Sequence, residues 1–81
     1  MSAPSLISAR ARSYWRQMGA EFERLYRVQC SIPTREGLAR LRMIADLLDE
    51  HERVHGLPSD WVRRENMIAA ASFPFATETE G

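Results

Sequence analysis

Apolar side chains recur at helical spacing from residue 7 onward. Their steps of three and four residues place them on one face of an α-helix, and the opposite face is polar and rich in arginine. The apolar positions are Ile7, Ala11, Trp15, Met18, Phe22 and Leu25. This pattern predicts a first helix near residues 5–30.

A second helix is predicted near residues 34–55. Pro33 interrupts the first pattern, and Thr34 is a suitable N-cap for the segment that follows. The apolar residues of this segment form two stripes, so we expect the helix to be covered on more than one side. The first stripe is Leu38, Leu41, Ile44, Ala45 and Leu48, and the second is Met43, Leu47 and Val54.

A third, shorter helix is predicted near residues 59–72. Gly56 and Pro58 are typical of the end of the preceding helix, and Ser59 or Asp60 can cap the next one. Pro74 is expected to end it, because the residue before a proline avoids the helical conformation. The expected core face is Trp61, Val62, Ile68 and Ala69.

These segments predict an all-α fold, a small three-helix bundle or a helical hairpin with a third short helix. We expect residues 1–75 to form a single helical domain, and residues 76–81 a flexible acidic tail. A chain of 81 residues buries a modest core, and its single cysteine, Cys30, cannot form a disulfide within it. We therefore expect self-association, or a partner, to add stability. Cys30 is expected to be buried, and Gly19 to mark a close helix crossing.

The net charge is +0, but the two halves of the chain differ in sign. Residues 1–43 hold eight arginines and three acidic residues, for +5, whereas residues 44–81 hold three arginines and eight acidic residues, for −5. Every basic residue is arginine, which hints at a bacterial or phage gene. Neither a signal peptide nor a membrane span is evident, so we expect a cytoplasmic protein.

The sequence HERVH at residues 51–55 matches the zinc motif H-E-x-x-H. In metalloproteases the two histidines bind zinc and the glutamate is the general base. Here Arg53 adds a positive charge, and the third ligand of the longer motif is absent. Histidines in a last helical turn also suit the helix dipole. We therefore expect no cofactor, and keep His51 and His55 only as a remote candidate metal pair.

Nucleic-acid binding is the main alternative function. The second and third helices could form a helix-turn-helix, with Arg63 and Arg64 on the recognition helix. The neutral overall charge and the nearby acidic residues Asp60 and Glu65 argue against this interpretation.

The function that we favour is non-enzymatic protein binding, as an accessory subunit, regulator or inhibitor. An apolar second stripe, arginines and a divided charge are all typical of an interface. The expected partner is another protein or a second copy of the chain, as a homodimer, and not a membrane. The predicted partner-binding residues are Arg12, Arg16, Arg27, Met43, Leu47 and Val54.

Overall fold

The computed structural model describes residues 8–76, which form three α-helices. Helix α1 spans Ala9–Ser31, α2 spans Arg35–His55 and α3 spans Trp61–Ala76. No strand occurs within residues 8–76, and the predicted all-α class is confirmed. The predicted helix start near residue 5 lies outside the described residues, as do residues 77–81 of the predicted tail. The predicted start of that tail at Ala76 is wrong, because Ala76 belongs to α3.

Two polar caps and one glycine set helix ends. The hydroxyl of Ser8 accepts a hydrogen bond from the Ala11 amide at 3.0 Å, and the hydroxyl of Thr34 accepts one from the Gly37 amide at 2.9 Å. These bonds satisfy amides that the start of a helix leaves without partners. Gly56 ends α2 with φ at 69°, a left-handed conformation that favours glycine. The turns therefore fall close to where the sequence predicts them.

A buried glutamine holds the connection between α1 and α2. The side-chain oxygen of Gln29 accepts a hydrogen bond from the Thr34 amide at 2.9 Å. The same side chain lies over Gly37 and occupies the space that a Cβ would need there. Gly19 behaves differently, and our expectation of a close helix crossing was wrong. Apart from the adjoining backbone of α1 and the two neighbouring residues, no heavy atom lies within 4 Å of the position that a Cβ would take at Gly19, and a cavity lies beside it.

The core forms where the apolar faces of the three helices meet. Its buried residues are Phe22, Leu41, Ile44, Ala45, Leu48, Ile68 and Ala71. Trp15, Met18, Leu25, Tyr26, Leu38 and Met67 pack around them and are partly buried. The first predicted stripe of α2 therefore does face the core.

The predicted core face of α3 is largely wrong. Ile68 is buried, but Trp61 and Val62 are 52% and 55% exposed, and Ala69 is also exposed. The inward face instead consists of positions 64, 68 and 71. The charged side chain of Arg64 occupies it because a buried carboxylate of α2 pairs with it.

Helix α3 also continues past its predicted end. It runs through Pro74 to Ala76, whereas the sequence predicts an end at residue 72. Pro74 has no amide hydrogen, so the helical hydrogen bond to the carbonyl of Ala70 is absent in this last turn. The half-buried ring of Phe75 lies 5.0 Å from the guanidinium of Arg35, which joins this last turn to the start of α2.

Cys30 is exposed and free, contrary to the expectation of a buried thiol. It lies five helical turns after Arg12, and therefore on the outer, polar face of α1. A hydrogen bond with Cys30 raises the pKa of the Tyr26 hydroxyl above its ordinary value.

Candidate functional site

Three large apolar side chains lie exposed along one side of α2. Met43, Leu47 and Val54 are 59%, 44% and 61% exposed. At about 100° per residue they fall within a narrow sector, centred about 130° around the helix from the buried positions Leu41 and Leu48. We call these three residues the α2 stripe. The second predicted stripe of α2 is therefore uncovered within the described structure.

An open groove borders the C-terminal half of the α2 stripe. Its volume is about 390 Å³, and its walls come from the start of α1 and the end of α2. Arg10, Tyr14, Leu47, Glu50, His51, Val54 and His55 line it. The groove thus combines apolar and aromatic surface with one charge of each sign near its edges, which is the composition of many protein interfaces.

Aromatic rings join the two helices beside this groove. The ring of His51 lies between Tyr14 and His55, with ring centroids 4.6 Å and 4.4 Å apart. Its Nε2 lies 2.9 Å from the carbonyl oxygen of Ala11. Because a carbonyl oxygen only accepts, Nε2 carries the proton in this hydrogen bond. His51 therefore fixes the start of α1 against the end of α2.

The H-E-x-x-H residues do not converge on one site. Glu52 points into the core, whereas His51 and His55 line the outer groove. Adjacent helix positions are about 100° apart, which explains this separation. Among residues 8–76, no group of three or more potential ligands could hold a metal ion.

The predicted arginine face of α1 is separate from the α2 stripe. Arg12, Arg16 and Arg27 are exposed. Arg16 lines a cavity of about 220 Å³ that also includes residues of α3, whereas the groove beside the α2 stripe has no α3 residue in its lining. The six residues predicted for partner binding therefore lie on two separate surfaces, the arginine face of α1 and the α2 stripe.

The two arginines predicted for nucleic-acid binding are engaged within the protein. Arg63 forms ion pairs with Glu23 at 2.8 Å and with Asp60 at 2.7 Å. Hydrogen bonds with Asp60 and Glu23 raise the pKa of its guanidinium. Arg64 is buried against Glu52 and faces the core. The two side chains therefore do not form an exposed basic pair on α3.

The buried network around Glu52 was not predicted from the sequence. Arg64 donates two hydrogen bonds to its carboxylate, and the indole of Trp15 donates a third. Burial alone raises the pKa of Glu52, but the hydrogen bonds from Arg64 and Trp15 outweigh burial and hold this pKa below its ordinary value. A signal was present in the sequence, because Glu52 lies one turn after Leu48 on the apolar stripe.

No protein-family model matches the chain, and neither a curated protein nor a solved structure is significantly similar to it. None of the helices within residues 8–76 is long and apolar enough to cross a membrane.

Proposed function

We propose that the chain is a non-enzymatic protein-binding module, an accessory subunit, regulator or inhibitor, and that the α2 stripe is its interface. The observation that carries this proposal is the exposure of Met43, Leu47 and Val54 on a side of α2 that the other two helices leave uncovered. Contiguous apolar surface on a small protein commonly marks an interaction site. We further propose that the module acts in the cytoplasm.

The surroundings of the α2 stripe support a protein partner. Arg40 and Glu50 are exposed beside it and supply a polar rim. Tyr14 forms part of the groove wall, and tyrosine is enriched at interfaces because it combines apolar area with a hydroxyl. An open groove along a helix suits the apolar face of a second helix.

The alternative of a DNA-binding regulator has less support. It requires exposed arginines on α3, but Arg64 is buried and Arg63 already pairs with Glu23 and Asp60. Phosphate contacts on this helix would have to displace those acidic side chains.

The proposal is tested by a capture experiment in lysate of the native host, using tagged wild-type protein, Leu47→Asp and Val62→Asp. Leu47 lies in the α2 stripe, and Val62 is a comparably exposed apolar residue on α3, so it is the matched control. We expect a stoichiometric protein that wild type and Val62→Asp retain and Leu47→Asp loses. Equal retention by all three would show that the α2 stripe is not the interface.

A further inference from the structure

The exposed side of α2 carries a longer repeat than the apolar stripe alone. Six exposed positions follow steps of four, three, four, three and four residues. At 100° per residue they occupy a sector about 80° wide. These positions are Glu36, Arg40, Met43, Leu47, Glu50 and Val54. Alternating steps of three and four residues are the spacing of a coiled-coil contact seam.

This repeat has a centre of symmetry at the level of Ala45. If two copies of α2 run antiparallel and cross there, Met43 of each copy lies opposite Leu47 of the other. The same register places Arg40 opposite Glu50 at both ends of the apolar centre. The outermost pair places Val54 opposite Glu36. This register therefore pairs the two central apolar residues with each other and Arg40 with Glu50.

The charges needed for this register are accessible. Arg40 forms no ion pair with another residue of the described chain, and the ion-pair partner of Glu50 is Arg53, one turn away and itself exposed. A parallel arrangement in register would instead place Arg40 against Arg40 and Glu50 against Glu50. Charge complementarity thus favours the antiparallel arrangement.

We infer that the partner of the α2 stripe is a second copy of this chain, in an antiparallel dimer centred on Ala45. This inference rests on the protein-binding function proposed above. Each copy contributes only three large apolar residues to the seam, Met43, Leu47 and Val54. The dimer is therefore weak and reversible, and the two Arg40–Glu50 contacts contribute a measurable part of its affinity.

A charge-reversal experiment tests both the partner and the register. Sedimentation velocity at low salt is measured over a dilution series for wild type, Arg40→Glu, Glu50→Arg and an equimolar mixture of the two variants. Wild type is expected to show a monomer–dimer equilibrium. Each single variant places like charges at both contacts, so its dissociation constant should rise by about tenfold or more.

The mixture tests whether opposite charges on the seam restore association, and a charge reversal away from the seam separates this from a general effect of net charge. In a mixed dimer, one chain carries glutamate at both charged positions of the seam and the other chain carries arginine at both. Opposite charges therefore face each other again at both ends. The mixture should associate with nearly wild-type affinity although neither variant does so alone. The chain carrying both substitutions should also form a dimer. Arg24→Glu, at an exposed position of α1, is the matched control and should leave association unchanged.

Two results would overturn the inference. One is a wild-type chain that stays monomeric over the whole series, and the other is a mixture that associates no better than its separate components. Circular dichroism verifies that each variant keeps its helices. If the purified chain is monomeric while Leu47→Asp still loses a partner in the capture experiment, self-association is wrong and the proposed function stands. If both experiments are negative, both proposals are wrong.

Discussion

Glu52 and Arg64 form an ion pair inside the core, with two hydrogen bonds of 2.7 and 3.0 Å between them. The residues are 2% and 4% exposed. Trp15 of α1 donates a further hydrogen bond of 2.8 Å to the same carboxylate. All three helices therefore meet at a single side chain of α2.

Removing one member of this pair should destabilise the fold more than removing both. Arg64→Met leaves the Glu52 carboxylate buried without its main partner, which costs about 3–5 kcal/mol for such pairs. In the double variant Glu52→Leu with Arg64→Met, no charge remains buried, so the loss should be smaller than for Arg64→Met alone. Urea denaturation measures both values. A double variant as unstable as the sum of its single variants would contradict this account.

The Glu52–Arg64 ion pair should make the stability of the fold depend on pH. The pKa of Glu52 in the folded protein lies below its ordinary value of 4.5. Its contribution is therefore present above the pKa of the unfolded chain, and is lost as the pH falls through the folded pKa. As the pH falls from about 5 to about 3, we expect the free energy of unfolding to decrease more steeply in wild type than in Glu52→Gln. Parallel curves for the two proteins would show that Glu52 does not contribute.

Replacement by alanine should change the free energy of unfolding in opposite directions at two glycines. Gly37→Ala forces a methyl group into the space of the buried Gln29 side chain and should cost about 1–3 kcal/mol. At Gly19, in the interior of α1, the added methyl group meets no other side chain or helix within 4 Å, so Gly19→Ala should stabilise the fold by about 0.5–1 kcal/mol. Thermal unfolding of the two variants beside wild type provides the comparison. A stabilising Gly37→Ala would show that Gln29 moves aside easily.

The orientation of α3 is tested by truncating one residue on each of its sides. Ile68→Ala removes buried apolar volume and should cost about 2–4 kcal/mol. Val62→Ala removes an exposed side chain and should change stability by no more than about 0.5 kcal/mol. If Val62→Ala proved the more damaging of the two in chemical denaturation, the assigned core face of α3 would be wrong.

The sequence predicts the helices well because their periodicity and caps are local. Thr34 and Gly56 mark the ends of α2 through their own chemistry, and Leu41 and Leu48 mark its buried face. The core face of α3 was mispredicted because it depends on a residue far along the chain. The side chain of Arg64 faces the core because it pairs with Glu52. The spacing of apolar residues does not reveal such an ion pair.

The candidate site was predictable in part. Met43, Leu47 and Val54 are exposed, and their spacing in the sequence already places them on a different stripe from the core residues of α2. Arg16 belongs to another surface because of where α3 packs. The pattern of apolar residues in α1 does not show the position of α3. The position of Tyr14 beside His51 likewise follows from how α1 and α2 align.

The most direct test of the α2 stripe as an interface is site-specific photo-crosslinking in the native host. A photoreactive amino acid replaces Leu47 in one protein and the comparably accessible Val62 in another. We predict a discrete cross-linked species from position 47 and none from position 62. The mass of that species, twice that of the chain or larger, identifies a second copy or another protein as the partner. Absence of any cross-link from position 47, or the same species from both positions, would contradict the proposed function.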